Sequence, residues 1–161
     1  TPFLVQLFVL YYGGPMVGLV LDPLPAGIIG LTIYGSPYFA EIFRSGFLAV
    51  PEGQIEAARA IGMAEPTILR RIILPLGLVS ALPALINFAI ILTKETVILS
   101  IITVPELMYQ TQYMATKTFR YVEGNLMLAL LFWVLVETIS RFGRRIETRL
   151  TKHLGGSAGN A

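Results

Sequence analysis

Between Ile68 and Val104 the chain runs for 37 residues in which the only charged side chains are Arg70, Arg71, Lys94 and Glu95. A stretch of this kind has few ways to fold. A segment of about 20 apolar residues crosses the ~30 Å hydrocarbon core of a bilayer, and only helices or closed barrels satisfy their backbone there. The apolar residues are continuous rather than alternating, so the expected fold class is an all-α integral membrane protein. Pro75 and Pro83 lie inside the run. It is too long for one upright span and marginal for two plus a turn, which predicts one long or tilted span followed by an interfacial piece.

Three further runs point the same way. Pro2 to Leu21 is long enough to span, with Gly13, Gly14 and Pro15 expected to break or kink it, and the turn "DPLPAG" follows. A second span is expected from about Ile28 to Phe47, where Pro37 can bend the helix and Glu41 and Arg44, three apart, share a face as a structural pair. Thr103 to Gly124 reads as an interfacial and loop segment whose aromatics suit a headgroup layer. A last span, Asn125 to Ser140, leads into "RFGRRIETRLTK". This predicts about four spans, with a membrane domain over residues 1–150 and a disordered cytoplasmic tail over 151–161. The sequence enters an apolar run at Thr1 without a charged leader, so its natural N-terminus is expected to lie upstream.

Composition agrees: 55% of the 161 residues are hydrophobic and 14% charged, and mean hydropathy is +0.71. The net charge of +2 is too small to suggest a nucleic-acid partner. The basic residues instead report topology. Arg59, Arg70 and Arg71 lie on one side, and an even number of intervening spans returns Arg141, Arg144, Arg145, Arg149 and Lys152 to it, while Lys117 and Arg120 lie on the other. The polar segment and the C-terminus are therefore expected in the cytoplasm. There is no cysteine, and the lone histidine, His153, lies in the tail. A membrane-embedded enzyme would need a nucleophile, metal ligands or paired acids at depth, and this chain offers none; no catalytic or metal-binding residue is assigned.

The least membrane-like stretch is "GQIEAARAIGMAEPTILRRIILP", Gly53 to Pro75. Pro51 and Glu52 make a helix start, Ala57, Ala58 and Ala60 are strong helix formers, and Gly62 is placed to end the helix in a left-handed cap. Pro66 opens the next helix, which re-enters the membrane. A surface helix from Glu52 to Ile61 is thus held between two turns, with Ile55, Ala58 and Ile61 or Gly62 on one stripe. Read from these residues alone, it is equally an ordinary cytoplasmic loop carrying an interfacial helix.

The spacing of Glu56-Ala57-Ala58, Gly62, Ile72, Leu74 and Pro75 resembles the EAA loop, E-A-A-x3-G-x9-I-x-L-P, of permease subunits of ATP-binding cassette importers, and every fixed position is met. "SPYFAEIFRSGFLAVPEGQIEAARAIGM" and "LPALINFAIILTKETVILSIITVPEL" are similar to signatures of the polar amino-acid (glutamine or histidine) branch through Ala40, Glu41, Arg44, Gly46, Gly53 and Gln54, and through Pro83, Asn87, Lys94, Thr96, Ser100 and Glu106. The likeness covers nearly the whole chain. It departs at Leu76 and Gly77, where the branch usually has Gln and Ala, at Val79 in place of an Arg, and at Val97 in place of a Ser. These departures bear on substrate more than on family.

The resemblance implies a type I importer permease whose five-span core lacks its first span here, in a multi-pass subunit of the bacterial cytoplasmic membrane. Glu56, Ala57, Ala58, Arg59, Gly62, Leu74 and Pro75 would couple it to ABC ATPase subunits, which bind the ATP; no cofactor is expected in this chain. The other implied partners are a second permease subunit, a substrate-binding protein, the lipid membrane and a small amino acid. Transport of another small solute, and a non-transporting membrane scaffold, are the alternatives.

Ionisable groups at membrane depth are costly. Lys94 and Glu95, neighbours about 100° apart on a helix, either reach the interface and snorkel or line a pathway. The branch carries its substrate pocket on the corresponding helix, so the resemblance assigns Asn87, Phe88, Thr93 and Glu95 to the pathway, with Glu95 suited to an α-ammonium group. Gln6 belongs to the same pathway or to a helix-helix hydrogen bond. Trp133, Tyr11 and Tyr12 are expected as packing or interface residues.

Overall fold

The computed structural model describes residues 1–155, with side chains described to Arg149. Among the described residues it is helical throughout, with no strand. The first helix, α1, spans Phe3–Val17 and changes pitch along its length: an α-helical turn and a half to Phe8, a π turn Val9–Gly13, then a 3-10 stretch Gly14–Val17. It stops four residues short of the expected Leu21, because Gly18 takes a left-handed φ of 82° and its N–H donates to the Pro15 carbonyl at 3.2 Å.

The second helix, α2, covers Pro23–Leu48 and begins five residues before the expected Ile28. The "DPLPAG" read as a turn is its first turn: a proline there loses no intrahelical hydrogen bond, and the Asp22 carbonyl already accepts from Ala26 N–H at 3.0 Å. A nine-residue helix, α3, follows at Glu52–Ala60. The fourth, α4, runs unbroken from Glu65 to Ile102, opening with one α-helical turn, passing through a π turn Leu69–Ile73 and ending in a 3-10 stretch Thr96–Ile102. Pro75 and Pro83 do not break it. In α1 and α4 alike a π turn ends two residues before a proline, Pro15 or Pro75, where the widened register makes room for a ring that cannot donate backward.

The expected interfacial segment contains a helix, α5, Leu107–Thr118. Glu106 caps its start, its carboxylate accepting from Met108 N–H at 2.8 Å and Tyr109 N–H at 2.6 Å. The last helix, α6, spans Tyr121–Gly155, about 52 Å at 1.5 Å per residue. It begins before the expected Asn125 and continues well past Ser140, since Arg, Glu and Leu after that point are strong helix formers. It thus reaches five residues into the stretch read as a tail; residues 156–161 lie outside the described residues, as does the side chain of His153. Glu65–Ile102 and Tyr121–Arg149 are long and apolar enough to cross a membrane by themselves, and Phe3–Val17 is a shorter apolar helix.

The chain forms two compact units. The first joins residues 1–37 to 89–138. Its core is Phe3, Leu7, Ala26, Leu99, Ile102 and Val104, with Tyr34 tilted against Phe3 at 5.4 Å between ring centres. Gly27 lies beneath Leu99, where a Cβ would stand 3.0 Å from both its methyls. The second joins residues 38–88 to the chain from 139 onward and holds α3. Its helices meet at small residues: a Cβ at Gly46 would stand 2.7 Å from both the Ala81 Cβ and the Gly77 carbonyl oxygen, and one at Gly77 would overlap a Phe47 ring carbon. Large apolar side chains remain exposed along α1 and α6, among them Met16, Val17, Leu126, Leu130 and Trp133, surface that lipid or a partner helix would cover.

Candidate functional site

The polar helix is set by its ends. Pro51 is extended (φ −61°, ψ 126°) and hands over to Glu52 in the first turn. At the other end Gly62 takes φ 78°, its N–H donating to the Arg59 carbonyl at 2.9 Å while Met63 N–H donates to the Ala58 carbonyl at 3.1 Å. These paired bonds are the Schellman arrangement expected where a glycine follows the last turn. The helix occupies Glu52–Ala60, within a residue of the reading from sequence.

Arg59 folds across this turn. Its Nε donates to Glu65 Oε1 at 2.7 Å and its Nη2 to Oε2 at 3.3 Å, so the last turn of α3 grips the first residue of α4. That hydrogen-bonded carboxylate, and then its charge, push the Arg59 guanidinium further above its ordinary value. Sequence reasoning missed Glu65 as its partner; the six-residue separation crosses a turn, and no helical spacing signals it.

Ala58 is the buried residue of α3 and Ile55 is half-buried, while Glu56, Ala57, Ala60 and Gly62 are exposed. Ile61, with Gly62 the alternative for the stripe of Ile55 and Ala58, is 78% exposed. The reason is local: the helix has ended, and Ile61 at φ −88°, ψ 10° has left the helical register that would have turned it inward. The exposed surface therefore carries small residues beside the carboxylates of Glu52 and Glu56 and the large apolar side chain of Ile61. Leu74 is exposed and Pro75 half-buried just past the π turn of α4. Glu41 and Arg44 form the expected pair, bidentate at 2.8 and 2.5 Å on an exposed face of α2.

Within the first unit, Gln6 donates through Nε2 to the Thr1 hydroxyl at 2.5 Å and the Thr1 carbonyl at 3.3 Å. Its Oε1 is buried without a hydrogen-bond partner among the described residues. Gln6 lines an open cavity of about 450 Å³ with Val5, Val9, Leu10, Gly30 and Ile33. Thr93 is half-buried and its hydroxyl donates to its own helix, to the Ala89 carbonyl at 2.8 Å. Glu95 is half-buried, whereas Lys94 is exposed in a groove with Val97, Phe132, Trp133 and Val136, so the two neighbours have different surroundings. Within the second unit, Asn87 is exposed. Phe88 is only 5% exposed, stacked on Tyr38 and set edge-on to Phe39, each with ring centres 5.0 Å away. Its ring packs inside the unit instead of presenting a free surface.

Residues 1–152 match the family described as "Binding-protein-dependent transport system inner membrane component". The chain belongs to this family. Among its relatives are the probable amino-acid ABC transporter permease protein PatM of Vibrio harveyi, 38% identical over 94% of this chain and 70% of that protein, and the arginine transport system permease protein ArtQ of Bacillus subtilis, 31% identical over 93% of this chain and 69% of that protein. Two solved transporters share the fold. One is an amino acid ABC transporter crystallised with histidines, with a TM-score of 0.85 at 38% identity over 92% of this chain and 70% of that one. The other is the MetNI methionine ABC transporter in an inward-facing conformation, at 0.75 and 26% over 94% and 69%. The all-α architecture is thus that of a type I importer permease.

Proposed function

We propose that this permease subunit carries a polar amino acid across the bacterial cytoplasmic membrane, driven by separate ATPase subunits that engage α3 on the cytoplasmic side. The observation that carries this reading is the construction of α3: a short helix with a Schellman turn at one end, a proline at the other and an ion pair binding it to α4. An element closed at both ends transmits displacement, where a slack loop would absorb it. The exposed Glu56, Ala57, Ala60 and Ile61 permit close approach of a partner surface, while the Arg59 ion pair and the Gly62 turn hold the end of the helix.

ATP binds the partner subunits, and this chain supplies no catalytic group. A second permease subunit would complete the pathway, and a binding protein would deliver substrate on the face opposite α3. Glu95, half-buried on α4, suits an α-ammonium group, and Gln6, with one oxygen unpartnered, a polar backbone group. Relatives named for arginine, cystine and glutamine transport stand at 31%, 35% and 36% identity, which supports the substrate class without selecting a member. A non-transporting scaffold has no need of the α3 spacing.

The test is uptake of labelled amino acids by the assembled transporter carrying Glu56→Lys or Gly62→Pro. Both are expected to insert and yet fail to transport. Wild-type uptake by both would overturn the assignment of α3.

A further inference from the structure

We propose that the arginine-rich end of α6 is a binding surface for anionic phospholipid headgroups of the leaflet on the α3 side. Two contacts of opposite kind define its faces. Inward, Gly143 presses on α4: a Cβ there would stand 2.5 Å from Ile86 Cγ2, and the residues sharing this side, among them Ile139, Ser140 and Ile146, are half-buried. Outward, Phe142 is 65% exposed, and Arg145 and Arg149 are exposed with it. Spacings of three and four residues put these three on one stripe about 10 Å long.

The charge and the apolarity of the stripe point to a lipid. Arg141 to Arg149 carries a net +3, four arginines against Glu147. Arg141, Arg144 and Glu147 have interactions of their own, so the outward charge rests on Arg145 and Arg149. Earlier turns of the helix expose Leu126, Leu130 and Trp133, an apolar surface that acyl chains suit. The same helix then exposes an aromatic ring among arginines. That is the order of a bilayer read from its core outward: chains, boundary, phosphates. Phe142 would sit at the boundary, and the planar guanidinium groups would fork onto phosphate oxygens. An acidic protein surface would match the arginines but gives no reason for an exposed Phe142 next to a lipid-facing run.

The surface depends on the membrane reading and not on the coupling role of α3, so the two fail separately. The complete transporter is reconstituted in nanodiscs of phosphatidylcholine with and without phosphatidylglycerol, and the lipid retained by the permease chain after mild delipidation is measured by native mass spectrometry. Wild type is expected to enrich phosphatidylglycerol. R145Q and R149Q should each lower that enrichment about fivefold, R145K/R149K should lower it less, since the charge stays and only the fork is lost, F142S should lower it without a change of charge, and R120Q, outside the stripe, should leave it intact. Unchanged enrichment in R145Q and R149Q would overturn the proposal. So would loss of the ATPase subunits with enrichment unchanged, which would make the stripe a protein interface.

Discussion

Arg59 and Glu65 close the turn between α3 and α4, with Nε to Oε1 at 2.7 Å across a glycine at φ 78°. Both side chains are more than half exposed, at 56% and 65%, so the pair adds little to folding stability. The proposed consequence is mechanical: a movement at the end of α3 would be delivered to the first turn of α4. Glu65→Gln is therefore expected to leave thermal unfolding nearly unchanged and to lower substrate-dependent uptake. Uptake equal to wild type would assign the pair no part in coupling.

Gly62 has open space around it, with nothing within 4 Å of a Cβ, so a substitution there meets backbone strain alone. Gly62→Ala should cost about 1 kcal/mol and Gly62→Asn less, because asparagine tolerates the left-handed region better. Hydrogen exchange over α3 should rise in the order wild type, Asn, Ala. A faster exchange in Asn than in Ala would contradict this account of the turn.

Gly46 and Gly77 fail differently. Gly77→Ala drives a methyl into the Phe47 ring, and Gly46→Ala drives one into the backbone oxygen of Gly77. Each should destabilise by about 1–3 kcal/mol. Adding Phe47→Leu should recover part of the loss in Gly77→Ala, because a side chain can be shortened, and none in Gly46→Ala. Unfolding temperatures of the four variants in detergent decide the matter.

Phe88 and Glu95 separate packing from substrate contact. Phe88→Ala removes a ring held by Tyr38 and Phe39 and should cost about 3–5 kcal/mol of stability. Glu95→Gln keeps the shape of a half-buried side chain and should abolish most uptake while the ATPase subunits still co-purify. Unchanged uptake in Glu95→Gln would make Glu95 an interface residue. A stable Phe88→Ala with altered substrate preference would return Phe88 to the pathway.

The features legible beforehand are those that a few neighbouring residues decide. The membrane class follows from apolar length, the bounds of α3 from Pro51, three alanines and Gly62, and the Glu41–Arg44 pair from a spacing of three. Helix ends were misjudged where local chemistry has two outcomes: "DPLPAG" serves as a turn or as the proline-bearing first turn of α2, and "RFGRRIETRL" as a polar boundary or as more helix.

What only the tertiary structure decided is which side of each helix meets another. In a soluble helix the apolar stripe announces the buried face, but a lipid-facing helix is apolar all round and carries no such mark. So Phe88 emerges as a packed ring and Gly143 as a contact on Ile86, although nothing in their neighbours distinguished them. The sequence by itself determined an all-helical membrane fold and a short polar helix between α2 and α4. The faces, and with them the residues left free to meet lipid, substrate or a partner, were settled by close approach at small residues, which depends on side chains far apart along the chain.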